Sequence, residues 1–259
     1  MYTAFEVQKI MGGRGLGSDR NSSKFGGGTA TATAKAGGGG TVVEGYGKEE
    51  QALARKLFGK NMSESDIVTM AGGSVFKGAK IEVGIRDGKL QVDIAHKFIS
   101  KKDGMTRTFF RDKNGKLAIE NEAFFLTKAA QGRGIGRESF KSQVQFAKDR
   151  GVKYITTFAL RNDARADKAI GHKVWADFGF DAPLSPAMTR AWVGRNPLAQ
   201  FSGIKPPRTI RELYDRKGGR DLWIEKGEGG RMLFNLTRGS KNLKAFNKYL
   251  KGKGSSLIK

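Results

Sequence analysis

From Leu117 to Leu160 the chain reads as a strand, a glycine-rich turn, a helix and a second strand. The turn is Gln131-Gly132-Arg133-Gly134-Ile135-Gly136, and the helix after it carries Phe140, Val144 and Ala147 on one face. That order belongs in an α/β or α+β mixed sheet. It also has a chemical consequence. The first N–H groups of a helix have no intrahelical acceptor, and the helix dipole adds positive potential there, so the turn is a place for an anion. Glycine matters because a side chain would hold a pyrophosphate away from the backbone. A second stretch, Gly12 to Gly17, has nearly the same letters. It is followed by Ser18 to Gly28, which lacks helical periodicity, so the phosphate-loop reading is confined to the first.

The remaining chain divides in three. Residues 1–48 form a low-complexity, glycine-rich arm that cannot supply a packed core; a protein partner is one means of ordering it. Residues 49–184 carry the periodic segments. Leu53, Leu57 and Phe58 predict a helix, and Ser63 is placed to cap another running to Met70. Ile81, Val83 and Ile85, then Asp87-Gly88, then Leu90, Val92 and Ile94 predict a hairpin. Met105–Arg111 and Leu117–Leu126 predict a second strand pair around Asn114-Gly115. Ile170, Val174 and Phe178 predict a helix. Residues 185–259 form a basic extension: a helical stretch at Thr209–Arg216, a closing hairpin of Leu222–Ile224 with Met232–Leu236, and an amphipathic helix at Lys241–Lys251.

Charge narrows the partners. Lys and Arg number 48 against 25 Asp and Glu, a net +23, which favours nucleic acid or another polyanion. Lys241, Lys244, Lys248 and Lys251 form one stripe on the last helix, suited to non-specific phosphate contact; a solvated helix face is the alternative. Leu243, Phe246 and Leu250 make too small an apolar face for stable membrane insertion, so no membrane partner is expected. The chain has no cysteine, and His96 and His172 stand alone, so no metal site or triad is expected. No secretory signal is evident at Met1–Ile10; the expected location is cytoplasmic or inside a virus particle. Trp192 and Trp223 read as packing residues, with base stacking as the alternative.

Residues 80–184 resemble the GNAT superfamily of N-acetyltransferases, most specifically over 117–182. Gln131, Gly134 and Gly136 match its loop. Lys148 to Val152, the strand from Tyr154, and Val174-Trp175-Ala176-Asp177-Phe178-Gly179-Phe180 follow in the family's order. The resemblance implies a GNAT-like acyl-CoA N-acyltransferase fold binding acetyl-CoA. Gln131, Gly132, Arg133, Gly134, Ile135 and Gly136 would hold the diphosphate, with Asn162 beginning a contributing connection. The N–H near Leu126 would face the acetyl carbonyl. Glu120, eleven residues before Gln131, is the position of the family's base, with Glu122 beside it; both also fit ordinary solvent-facing residues. Two departures stand out. Trp175 occupies the position of the family's tyrosine acid, and the connection after Asn162 is longer. Two functions follow as expectations: an acetyl-CoA-dependent N-acetyltransferase with a basic surface, or a catalytically inactive GNAT-fold structural or assembly protein, for example near the genome of a virus particle.

Overall fold

The computed structural model of the chain describes residues 40–102, 104–162 and 169–258. The Gly12–Gly17 stretch and most of the glycine-rich arm lie outside the described residues.

The described chain is a mixed α/β protein. Its main sheet contains β1 (Val42–Glu44), β2 (Lys80–Arg86), β3 (Lys89–Ala95), β4 (Met105–Arg111), β5 (Leu117–Phe124), β6 (Tyr154–Ala159) and β9 (Gly230–Asn235), side by side in the order β1-β2-β3-β4-β5-β6-β9. β7 (Arg161–Asn162) and β8 (Ala169–Ile170) make a separate small pair. The β1–β2 and β5–β6 contacts are parallel, and the others in the main sheet are antiparallel. Asp87 and Gly88 take φ of 50° and 69°, the left-handed pair that lets a two-residue turn follow the twist of its strands.

Eight α-helices are described: α1 (Lys48–Phe58), α2 (Glu64–Met70), α3 (Ile135–Asp149), α4 (Gly171–Asp177), α5 (Pro186–Arg195), α6 (Ile210–Tyr214), α7 (Gly219–Lys226) and α8 (Lys241–Gly252). α2 begins with a reciprocal cap. The Asp66 N–H donates to Ser63 Oγ at 3.1 Å, and the Ser63 N–H donates to Asp66 Oδ2 at 3.0 Å. Arg150 then ties the far end of α3 to Asp66 at 2.8 Å.

One face of the sheet is covered. Ile81, Val83, Leu90, Val92, Phe109, Ile119, Ile155 and Phe234 point into it and join the helices in one apolar core. At its centre Phe140 of α3 meets Trp175 and Phe178 from α4 and its C-terminal end, together with Phe180, Phe234 and Phe246. The alternate residues face the other way, as the two-residue period of a strand requires. They are mostly polar or charged, with one small apolar cluster of Ala118, Tyr154 and Leu233 against Phe110. No helix among the described residues is long and apolar enough to cross a membrane.

Three expectations change. Leu222–Ile224 is not a strand: it lies within α7, which Gly218 opens in the left-handed conformation and Asp221 supports in its first turn. Leu222 and Trp223 turn into the core, with Trp223 Nε1 donating to the His172 carbonyl at 3.1 Å. The closing strand β9 therefore pairs with the distant β6 instead of a hairpin partner. Val42–Glu44, assigned to the arm, joins the sheet beside β2, so the folded unit begins before residue 49. Ile170 ends β8, and α4 starts one residue later.

Candidate functional site

The loop at Gln131 is positioned by an irregularity in β5. Arg107 of β4 pairs with Asn121, but the next partner of β5, Ala123, pairs with Thr106. Glu122 is the extra residue of a β-bulge, and bulges bend and twist their strand. Beside it the parallel ladder to β6 stops. It runs from Ala118↔Tyr154 to Asn121↔Thr157, after which β5 pairs only with β4 and β6 only with β9. The sheet opens into a fork whose apex is closed by Thr157 Oγ1 donating to the Asn121 carbonyl at 3.0 Å.

Leu126 lies on one arm of the fork. It bridges Ile99, and the flanking bonds run from Ser100 N–H to the Phe125 carbonyl (2.8 Å) and from Thr127 N–H to the Phe98 carbonyl (2.9 Å). In that antiparallel pattern the N–H and C=O of Leu126 point away from Ile99, toward the fork. Gln131 Nε2 takes the carbonyl at 3.0 Å. The N–H has no acceptor among the described residues.

The turn supplies more such groups. Gly132 and Gly134 take φ of 74° and 77°, and Gly134 caps α3 without any side-chain bond. Among the described residues, no N–H from Gly132 to Arg137 is spent; the helical bonds begin with Glu138 N–H to the Gly134 carbonyl at 3.0 Å. Gly136 faces Leu126 and Phe124: a Cβ there would lie 3.6 Å from each side chain. Arg133, stacked over the Phe98 ring at 5.2 Å, and Arg137, held to Glu138 at 2.9 Å, add cations beside the turn. Unspent N–H groups, a helix N-terminus and two guanidinium groups are together suited to an anion.

Side chains fill the helical side of the sheet here. Trp175, 7% exposed, lies 6.3 Å from the Phe124 ring and 5.6 Å from Phe140. Its indole is packed where the resemblance places a tyrosine. Arg107, 2% exposed, donates to the Thr106 and Ala123 carbonyls at 2.9 and 2.7 Å. It thereby holds the two sides of the bulge together. Burial draws its pKa down to about 9, with the Glu122 carboxylate acting in the opposite direction. Asn121 and Gln143 exchange two amide bonds at 2.9 and 3.0 Å and fasten α3 to β5.

The two carboxylates sit on the uncovered side. Glu120 is paired with Arg231 of β9 at 3.4 Å, and Glu122 accepts from Thr108 Oγ1 at 2.5 Å. Glu122 also borders a cavity of about 230 Å³ with Arg86, Lys89, Gln91 and Thr108. Asn162 ends β7 opposite Ala169; its side chain lies outside what is described.

The structure thus brings Leu126 and the Gln131–Gly136 turn together, and holds Glu120 and Glu122 on the uncovered face of β5. Lys241, Lys244, Lys248 and Lys251 are elsewhere, exposed along α8, while Leu243, Phe246 and Leu250 are buried beneath. Sequence reasoning missed Arg107, Asn121, Gln143 and Arg231. One signal was present: Arg107 alternates with Met105 and Phe109 on the buried side of a strand, an unfavourable place for a charge unless the fold uses it. Among the described residues no group of three or more His, Asp or Glu gathers as a metal site. No model of a known protein family matches the chain, and no match among curated proteins is found.

Proposed function

We propose that the chain binds an acyl-coenzyme A, with acetyl-CoA as the parent ligand, in a GNAT-like fold, and transfers the acyl group to an amine. One observation carries the reading: the unspent N–H groups of residues 132–137 open α3 beside a fork in which the Leu126 N–H is also unspent. The first set suits the oxygens of a diphosphate. The second suits an amide or thioester carbonyl entering the fork, where a fixed N–H stabilises developing negative charge. When bound, the thioester supplies the acyl group. Glu122, or Glu120 released from Arg231, takes the proton of an amine arriving at the uncovered face in this reading. Trp175 has no acidic proton to offer a leaving thiolate, so water is the proton source.

Trp175 and the Glu120–Arg231 pair favour a second reading. In it the fold is catalytically inactive and serves in assembly, with the basic surface against nucleic acid, as inside a virus particle. Calorimetric titration of the full chain with coenzyme A tests the binding claim of the first reading, and acetyl transfer to a small amine separates the two readings. Absence of measurable heat and of any thermal stabilisation by millimolar coenzyme A removes the first.

The exposed lysines of α8 support a polyanion contact in either reading. Four phosphate contacts give a log–log salt slope of about −3.6, so duplex DNA affinity should fall roughly a hundredfold between 50 and 200 mM salt. Replacing Lys241, Lys244, Lys248 and Lys251 together by glutamine should flatten that slope by about the same 3.6. An unchanged slope assigns the contact to another surface.

A further inference from the structure

Beyond the fork, the most unusual surface is the turn after α5. Pro197–Gln200 forms a short 3-10 helix, and Leu198, Phe201 and Ile204 around it are 77%, 88% and 45% exposed. This is not a fraying segment. The Phe201 and Ser202 N–H groups both donate to the Leu198 carbonyl at 3.1 Å, and the Ile204 N–H donates to the Ala199 carbonyl at 3.2 Å. Asn196 Nδ2 anchors the start to the Trp192 carbonyl at 2.8 Å. Ala199 is buried in the core while Leu198 and Phe201, three residues apart, lie outward; on a 3-10 helix such residues share a side. The turn is built to present three large apolar groups to its surroundings, and such convex apolar clusters mark contact sites.

The charge around it identifies the contact. Between Asp181 and Glu212 the chain has no carboxylate, while Arg190, Arg195, Lys205, Arg208 and Arg211 are all cationic. Arg190, Lys205 and Arg208 are exposed. Arg195 is neutralised by Glu225, and Arg211 is buried. An apolar projection set among exposed cations, with Glu225 held by Arg195 and Glu212 held by the Arg208 N–H, fits an anionic bilayer surface. The apolar side chains enter the interface, and the cations meet the headgroups. Each signal is weak alone, and stable membrane attachment generally takes two. Two of the three groups are aliphatic and cannot stack on bases, which disfavours nucleic acid as the occupant.

We propose that the Leu198–Ile204 turn is a reversible docking element for anionic lipid surfaces, a site distinct from the helix α8 face.

The test is co-sedimentation of the full chain with vesicles of phosphatidylcholine containing 30% phosphatidylserine, beside pure phosphatidylcholine. Because a chain of net charge +23 adsorbs to any anionic surface, the deciding comparison is with a Leu198→Ser/Phe201→Ser variant. Its thermal midpoint should match that of the parent, since both side chains are solvated. The expected result is serine-lipid-dependent binding, weakened at least tenfold in that variant, and weakened also in Arg190→Gln/Arg208→Gln. Equal binding by parent and Leu198→Ser/Phe201→Ser overturns the proposal, leaving bulk electrostatics only. So does no vesicle binding by the parent. A concentration-dependent dimer that the serine variant abolishes, without vesicle binding, gives the turn to a second copy of the chain.

Discussion

Replacing Phe140 by alanine should destabilise the protein by about 3–5 kcal/mol and lower its thermal midpoint by roughly 10 °C. Five aromatic rings surround this side chain. Phe246 lies at 5.0 Å, Phe180 and Phe234 at 5.3 Å, Phe178 at 5.4 Å and Trp175 at 5.6 Å. They come from α4 and the chain that follows it, from β9 and from α8, so the cavity left by alanine opens where the sheet, α4 and the C-terminal helix meet α3. Such a cavity collapses poorly, because each lining ring is itself fixed by another element. Phe201→Ala is the matched control. That ring is 88% exposed, and its loss should change stability by no more than about 0.5 kcal/mol. Denaturant unfolding followed by circular dichroism measures both. Equal, small effects would mean that the aromatic cluster is not a structural centre.

The second large effect concerns the glycine turn. Gly136→Asp should reduce coenzyme A affinity by about a hundredfold without lowering the thermal midpoint. Gly136 is the second residue of α3, and a Cβ there makes only ordinary contacts with Leu126 and Phe124 at 3.6 Å. Aspartate in a first helical turn is favoured by the dipole, and replacing a helical glycine removes its entropic penalty. The fold is therefore indifferent to the change or gains from it. An anion at the turn is not indifferent: two like charges about 5 Å apart at an effective dielectric of about 20 repel by ~3 kcal/mol. Gly134→Glu is a poorer test, because Gly134 holds φ at 77° and any side chain there adds backbone strain. Calorimetry on the variant and parent decides the matter. Undiminished affinity in Gly136→Asp separates ligand binding from the turn.

Much of this fold was legible because its signals are local. Asp87-Gly88 demands left-handed backbone and received it, Ser63 and Asp66 cap each other within one turn, and Leu243, Phe246 and Leu250 fall on one side of α8. The misreadings share a different cause. Val42–Glu44 is a strand only because β2 offers an edge to it, and nothing in three residues beside a glycine tract announces that. Leu222-Trp223-Ile224 has the composition of a strand, but Gly218 and the core beneath α7 impose a helix, a tertiary override of local propensity.

The candidate site divides along the same line. The order of strand, glycine turn and helix was visible, as was Gln131 at its head. What shapes the site was not: the extra residue at Glu122, the end of pairing after Asn121↔Thr157, and Arg107 bridging the two carbonyls of the bulge. Each depends on a strand pairing with a particular neighbour, which spacing along one chain does not encode. Arg231 likewise reaches Glu120 only because β9 returns beside β6.

Nuclear magnetic resonance reports on the backbone N–H groups of the fork and the glycine turn one by one. In a titration of the 15N-labelled chain with coenzyme A, the amide signals of Leu126, Gly132, Gly134 and Gly136 should shift and saturate together, while those of Lys244 and Lys248 on α8 stay in place. If those four amides stand still while the ligand saturates another region, or if no signal moves at millimolar coenzyme A, the fork and its glycine turn are not the binding site.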